Sequence, residues 1–158
     1  MLLLPMMGRN EQLPSMKIAV IDGQGGGIGS VLVKRIRDAF QERMEIIALG
    51  TNAIATAQMM KAGANKGATG ENAIVVMARK VDFIVGPIAV VLADAMMGEM
   101  TPTMAAAVAS SPARKFLLPL TQEAVEVVGV VPEPLPHLVE HLVEKRLRPL
   151  VAAMEGEG

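Results

Sequence analysis

The sequence predicts an α/β fold: a three-layer, Rossmann-like domain with a mostly parallel sheet, helices on both faces and an antiparallel strand at one edge. Three observations predict it. Runs that are apolar throughout, such as "KIAVID" (17–22) and "EIIALG" (45–50), read as strands buried on both faces, as parallel sheets require. Segments of helical spacing separate them. The gap "TQEA" between "FLLPL" and "VEVVGVV" is too short for a parallel crossover, so the last strand is expected to turn back antiparallel.

The elements follow in order. The opening "MLLLPMMGRNEQLPSM" lacks a basic start, a long apolar centre and a small-residue cleavage site. Residues 1–16 therefore read as a flexible arm or an overlong start, with Met16 as the candidate initiator; 17–153 form one domain and 154–158 a tail. "KIAVID" is the first strand, and a glycine turn leads into "IGSVLVKRIRDAF", a helix with Ile28, Leu32 and Ile36 on one stripe. "EIIALG" is the second strand. "TNAIATAQMMKAG" is a helix between the capping types Thr51 and Asn52 and the terminating Gly63. "ANKGATGEN" holds a very short strand before the helix "ENAIVVMARK", and "VDFIVGP" is the third clear strand. An apolar helix over 88–97, a second helix after Thr101-Pro102 and the strand "RKFLLPL" come next. After the antiparallel "VEVVGVV", the amphipathic "PEPLPHLVEHLVEKRLRPL" closes the domain.

Composition narrows the function classes. The 158 residues suit one domain with a sizeable core. Hydrophobic residues are 51% and methionines number 13, while aromatics are only 2%. Mean hydropathy is +0.40. Such a chain has apolar surface to spare, so a homo-oligomer formed through the Met-rich helices "AVVLADAMMGEM" and "TMAAAVA" is expected, although a helical methionine stripe is more often core. With no cysteine, disulfides, thiolate catalysis and sulfur-ligated metals are excluded. The charge is balanced, 15 Lys and Arg against 16 Asp and Glu, and no basic stripe interleaves with aromatics, so no nucleic-acid partner is expected. Gly86, Pro87 and Asp94 interrupt the longest apolar run short of the ~20 residues a membrane span needs, which predicts a cytoplasmic protein without a membrane partner.

The stretch "DGQGGGIG" stands between a strand and a helix, where a phosphate-binding turn belongs. Glycines let the backbone approach an anion, and the helix's free amides and positive end face it. Gly23, Gln24, Gly25, Gly26, Gly27 and Gly29 are the candidates. The spacing Gly23-x-x-x-Gly27-x-Gly29 is that of the short-chain dehydrogenase fingerprint. Three features oppose a nicotinamide cofactor. "LGTN" replaces the acidic residue expected for ribose hydroxyls at the end of the second strand. The chain has no tyrosine, so the Tyr-x-x-x-Lys proton donor is impossible. Asp22 leads into the turn, where its charge repels a phosphate unless a metal or a ligand hydroxyl intervenes. The alternative is a turn whose glycines only let helix and strand pack closely.

The order "ALGTN", helix, "GATGENAIVVMARKVDFIVGPI" resembles methylglyoxal synthase-like domains. The resemblance implies that Thr51 and Asn52 form a phosphate turn, with donors matched to phosphate oxygens, and that Glu71 lies in the later glycine-rich loop that carries a catalytic carboxylate. Gly86 and Pro87 stand where that family places an aspartate, so phosphate sensing fits better than the synthase reaction. A helix N-cap is the plainer role for Thr51 and Asn52, compatible with a ligand contact.

From Lys17 to about 145, "KIAVIDGQGGGIG", "IIALGTNAIAT", "KAGANKGATGENAIV", "VDFIVGPI", "ASSPARKFLLPL" and "EPLPHLV" together resemble the bacterial family domain of unknown function 3842. The resemblance specifies no reaction. Members begin as this chain does from Met16.

"HLVEH" gives His137-x-x-Glu140-His141, the inverted zinc-protease order, but Leu138, Val139, Leu142 and Val143 form the buried stripe and leave both histidines and Glu140 on a solvated face. No metal site is expected there. The loops after the strands converge on one sheet edge instead. That edge gathers Asp22, the glycine turn, Thr51 and Asn52, and with them Lys66, Thr69, Glu71 and Asn72. Lys66 would neutralise an anion, and Asp22 and Glu71 would act as an acid and base pair or hold Mg²⁺. A nucleotide- or phosphometabolite-binding protein with a sensing or regulatory role is the leading expectation. An enzyme of small molecules using Asp22 and Glu71, and a structural homo-oligomer without a ligand, are the alternatives.

Overall fold

The computed structural model describes residues 16–157. Of the expected arm at 1–16, residues 1–15 lie outside them, and Met16 is the first residue of β1. Five strands, β1 (Met16–Asp22), β2 (Met44–Gly50), β3 (Lys66–Thr69), β4 (Phe83–Pro87) and β5 (Arg114–Leu118), form one sheet in the order β3-β2-β1-β4-β5. Every pairing is parallel. This is the Rossmann-like strand order, with the chain reversing direction across the sheet between β1 and β4.

The helices are α1 (Gly27–Phe40), α2 (Ala53–Lys61), α3 (Glu71–Met77), α4 (Pro102–Ala109), α5 (Leu135–His141) and α6 (Arg148–Glu157). Their placement follows the alternation of side chains along the buried strands. Ile18, Val20, Ile46 and Phe83 pack with Leu32, Ile36 and Phe40 of α1, Met59 of α2 and Val139 of α5. Ala19, Ile21, Leu49 and Ile84 face the opposite way, onto Ile74 of α3 and Met104 and Val108 of α4. The result is the predicted three layers. At the C-terminus the expected tail is helical to Glu157, and a π-helical turn, Leu142–Leu147, joins α5 to α6. Pro149 explains the wider turn: its ring cannot lie against the carbonyl four residues back, and the Arg148 N–H reaches Val143 O instead.

Two expectations are corrected. The antiparallel edge strand does not form: "VEVVGVV" belongs to no strand, and the edge is the parallel β5. Gly129 at φ 90 and Pro132 and Pro134 bend the chain away, and β-branched composition alone does not supply a pairing partner. The apolar segment 88–97 is not a helix. It makes one 3₁₀ turn, Ile88–Val91, and then an irregular loop in which Asp94, Met96 and Met97 take left-handed φ of 65, 58 and 57 and Gly98 of 92. Met96, Met100 and Met104 from the Met-rich stretch are core residues. Among the described residues no helix is long and apolar enough to cross a membrane.

Candidate functional site

Strand register sets the frame. Asp22 pairs with Gly50 and Gly50 with Thr69, so the C-terminal ends of β1, β2 and β3 stand in one row. The loop after β1 feeds α1 on one face, and the loop after β4 feeds α4 on the other. Their divergence opens a cleft of about 310 Å³, lined by Asp22, Gln24, Ile28, Pro87, Ala89, Met96 and the stretch Leu120 to Glu123. A crevice at the reversal point of an open parallel sheet is where such folds bind ligands.

The glycine turn divides into two kinds of position. Gly26, at φ 73, needs the left-handed region, and a Cβ there would lie 2.9 Å from Ala55 Cα. A Cβ on Gly23 would meet Thr51 Oγ1 and Met96 Sδ, and one on Gly29 would meet Met59 Sδ at 2.5 Å. Gly26 and Gly29 let α1 pack closely on α2 and β1, and Gly23 lets the loops that carry Thr51 and Met96 close on the turn. Gly25 and Gly27 have no such need: neither has a positive φ, a Cβ on either would touch nothing within 4 Å, and both are exposed.

Asp22 lies beneath the turn, only 4% exposed. Its Oδ1 accepts from the Gly23 N–H at 2.8 Å and its Oδ2 from the Gly29 N–H at 2.7 Å, so the carboxylate occupies two of the amides available to an anion. Burial pushes its pKa up against the pull of those amides, and the charge of Glu99 adds to the rise.

Glu99, in the loop after β4, was not among the residues the sequence singled out. Its Oε1 accepts three hydrogen bonds, from Gln24 N–H at 2.8 Å, Thr51 Oγ1 at 2.7 Å and Asn52 Nδ2 at 2.8 Å. Burial works to raise its pKa, but these donors outweigh burial and hold it below the usual carboxylate range. Thr51 and Asn52 thus form an oxygen-binding hole with the glycine turn, and an oxygen of the chain itself fills it. Asn52 also caps α2, its Oδ1 accepting from the Ala55 N–H at 2.9 Å. The clue available in the sequence is Gly98 just before Thr101-Pro102: a helix start there places Glu99 in a loop at the sheet's C-terminal edge.

The remaining candidates have other hydrogen-bond partners or stay exposed. Thr69 Oγ1 shares a 2.8 Å hydrogen bond with Thr56 Oγ1. Glu71 accepts from Thr101 Oγ1 at 2.6 Å, and the carboxylate whose charge acts on Asp22 is that of Glu99. Lys66 opens β3, at the opposite end of the strand from Thr69, and pairs with Glu45 at 2.9 Å. Asn72 is exposed on the first turn of α3. On α5, Glu140 is held by Arg35 at 2.7 Å. Among the described residues no three His, Cys, Asp or Glu side chains are grouped to hold a metal ion, so Mg²⁺ at Asp22 would need oxygens from a ligand or water.

Residues 17–150 match the family described as Domain of unknown function (DUF3842). The chain belongs to this family. No curated protein matches the DUF3842 chain in sequence. Among solved structures, it is similar to the crystal structure of a universal stress protein in complex with cAMP, at 20% identity and a TM-score of 0.40, over 66% of this chain and 98% of that one.

Proposed function

We propose that this DUF3842 chain binds a small phosphorylated metabolite or nucleotide in the crevice between β1 and β4, in a sensing or regulatory role. The anionic group lies against Gly25, Gly27 and the amino end of α1, and reaches Thr51 and Asn52. The uncharged part lies in the cleft along Ile28, Pro87, Ala89 and Met96. One observation carries this reading: Gly25 and Gly27 are bare where neither backbone conformation nor internal packing asks for glycine. Close approach of something from outside accounts for them, and an N-terminal helical turn favours an anion. Asp22, already bonded to two amides, presents its remaining acceptor capacity to hydroxyl or amino hydrogens of the ligand.

The test is a dye-reported thermal shift, since the chain lacks tryptophan and tyrosine. The panel is AMP, ADP, ATP, NAD, NADP, inorganic phosphate and small sugar phosphates, each with and without Mg²⁺. A ligand at a hundredfold over its dissociation constant stabilises by about 2.7 kcal/mol. Gly27→Val, whose new Cβ meets no protein atom, should fold normally and lose that stabilisation. An unshifted panel, or a shift that survives Gly27→Val, overturns the reading.

A second reading, a small-molecule enzyme, rests on the buried Asp22 with its raised pKa beside a carboxylate shifted the other way. Its acid and base would be Asp22 and Glu99, with Glu71 engaged at Thr101.

A further inference from the structure

We propose that the tip of the loop after β4, residues 96–99, is a built-in lid hinged on the buried Ala95 and Met100, that its Glu99 carboxylate occupies the anion hole, and that an anionic ligand binds by exchanging with it. The inference rests on the anion-binding reading of the site and adds how access to it is controlled. An oxygen with three donors is what a bound phosphate would show, and here the chain provides that oxygen itself.

Three features make the loop suited to leave. It hangs between firm anchors: Ala95 and Met100 are buried in the core and bond to each other across the neck of the loop, the Met100 N–H donating to Ala95 O at 3.1 Å. Between them its polar ties to the body of the molecule are few. They are the Glu99 carboxylate and a 3.3 Å hydrogen bond from the Met96 N–H to Glu123. Met96 and Met97 are non-glycine residues held at left-handed φ of 58 and 57, so the closed form carries backbone strain at the tip.

The loop also closes both halves of the crevice at once. Met96 is a wall of the cleft, and Glu99, three residues on, fills the hole. Withdrawal of one therefore carries the other. Exchange has an electrostatic logic as well. Glu99 adds negative charge beside Asp22, and a phosphate entering without its departure would make a third anion at the turn. Carboxylate leaving as phosphate arrives keeps the number of anions constant.

Amide NMR titration with inorganic phosphate tests the lid in the wild type, Glu99→Ala and Glu99→Gln. Emptying the hole should tighten phosphate binding about tenfold in Glu99→Ala, because no fraction of the protein is then self-occupied. Glu99→Gln keeps an oxygen for the same donors and loses the charge, so it should fold even if alanine does not, and should bind phosphate with intermediate affinity. In the wild type, phosphate should speed hydrogen exchange of the Gly98 and Glu99 amides, which are bonded within the closed loop to Ala95 O and Met96 O. If phosphate shifts Gly25 and Gly27 equally in all three proteins, or more weakly in the variants, the lid is wrong and the anion site stands. If it shifts those amides in none of them, both fall.

Discussion

At the scale of single residues, Asp22 and Glu99 are two carboxylates driven in opposite directions by their surroundings. Burial dominates at Asp22 and raises it from 3.8. Donated hydrogen bonds dominate at Glu99 and lower it from 4.5. The signs of their contributions to stability are therefore opposite. Folded Asp22 holds its proton longer than the unfolded chain does, so stability falls as pH rises from 3.8 through its folded value and is level above it. Glu99 does the reverse: its contribution is present above 4.5 and is lost as pH falls through its lower folded value. Denaturant midpoints followed by circular dichroism between pH 3 and 7 should show both slopes in the wild type. Asp22→Asn should remove the first and Glu99→Gln the second. A wild-type minus Asp22→Asn difference that stays flat across that range would mean that burial does not govern Asp22.

At the scale of elements, the C-terminal helix shows which force docks it. Arg35 of α1 reaches Glu140 and Glu144 at 2.7 Å, Arg148 reaches Glu144 at 2.7 Å, and the Arg148 hydrogen bond leads in pushing Glu144 down to about 2. Glu140 is exposed and Arg35, Glu144 and Arg148 are half-buried at the rim, still in contact with solvent, where such pairs contribute about 1 kcal/mol or less. Val139, Leu142, Val143, Leu147 and Val151 are buried against α1 and the sheet, and truncating one such leucine costs about 2–5 kcal/mol. Leu147→Ala should therefore lower the urea midpoint far more than Arg35→Ala; equal losses would return the credit to the ion pairs. Val139, Leu142 and Val143 of that stripe are legible from apolar spacing alone, as are β1, β2, β4, β5 and the short β3, because a buried strand or an amphipathic face leaves a periodic mark. The segment 88–97 mimics a helix for the same reason. It is apolar because it is buried, and burial does not distinguish a helix from a folded loop. Glu99 falls outside that expected helix, but its role depends on the loop bending back to Thr51, a contact 48 residues apart in sequence. The glycine turn, Asp22, Thr51 and Asn52 were visible because they adjoin strand ends, whereas the division of the glycines into packing and bare positions exists only in three dimensions.

At the scale of the whole molecule, the surplus of apolar residues has a definite address. Among the described residues the Met-rich stretch is largely interior, with only Met97 strongly exposed at 95%. The surface patch is instead Val125, Val127, Val128, Val130 and Val131, with Val128 92% and Val131 72% exposed. It follows β5, which pairs with β4 alone and ends the sheet. An open parallel edge next to a run of exposed valines invites pairing with another copy, since the same segment offers both unpaired backbone and apolar side chains. A two-fold contact would bring each valine run against its counterpart. We therefore expect concentration-dependent dimerisation in sedimentation velocity. Val128→Glu with Val131→Glu should abolish it without changing the circular dichroism, because neither side chain supports the core. The dimer should also be indifferent to Gly27→Val, whose site lies on the glycine turn after β1. If the wild type sediments as a monomer at every concentration, or the double variant still dimerises, the valine run is not the interface and the apolar surplus needs another outlet.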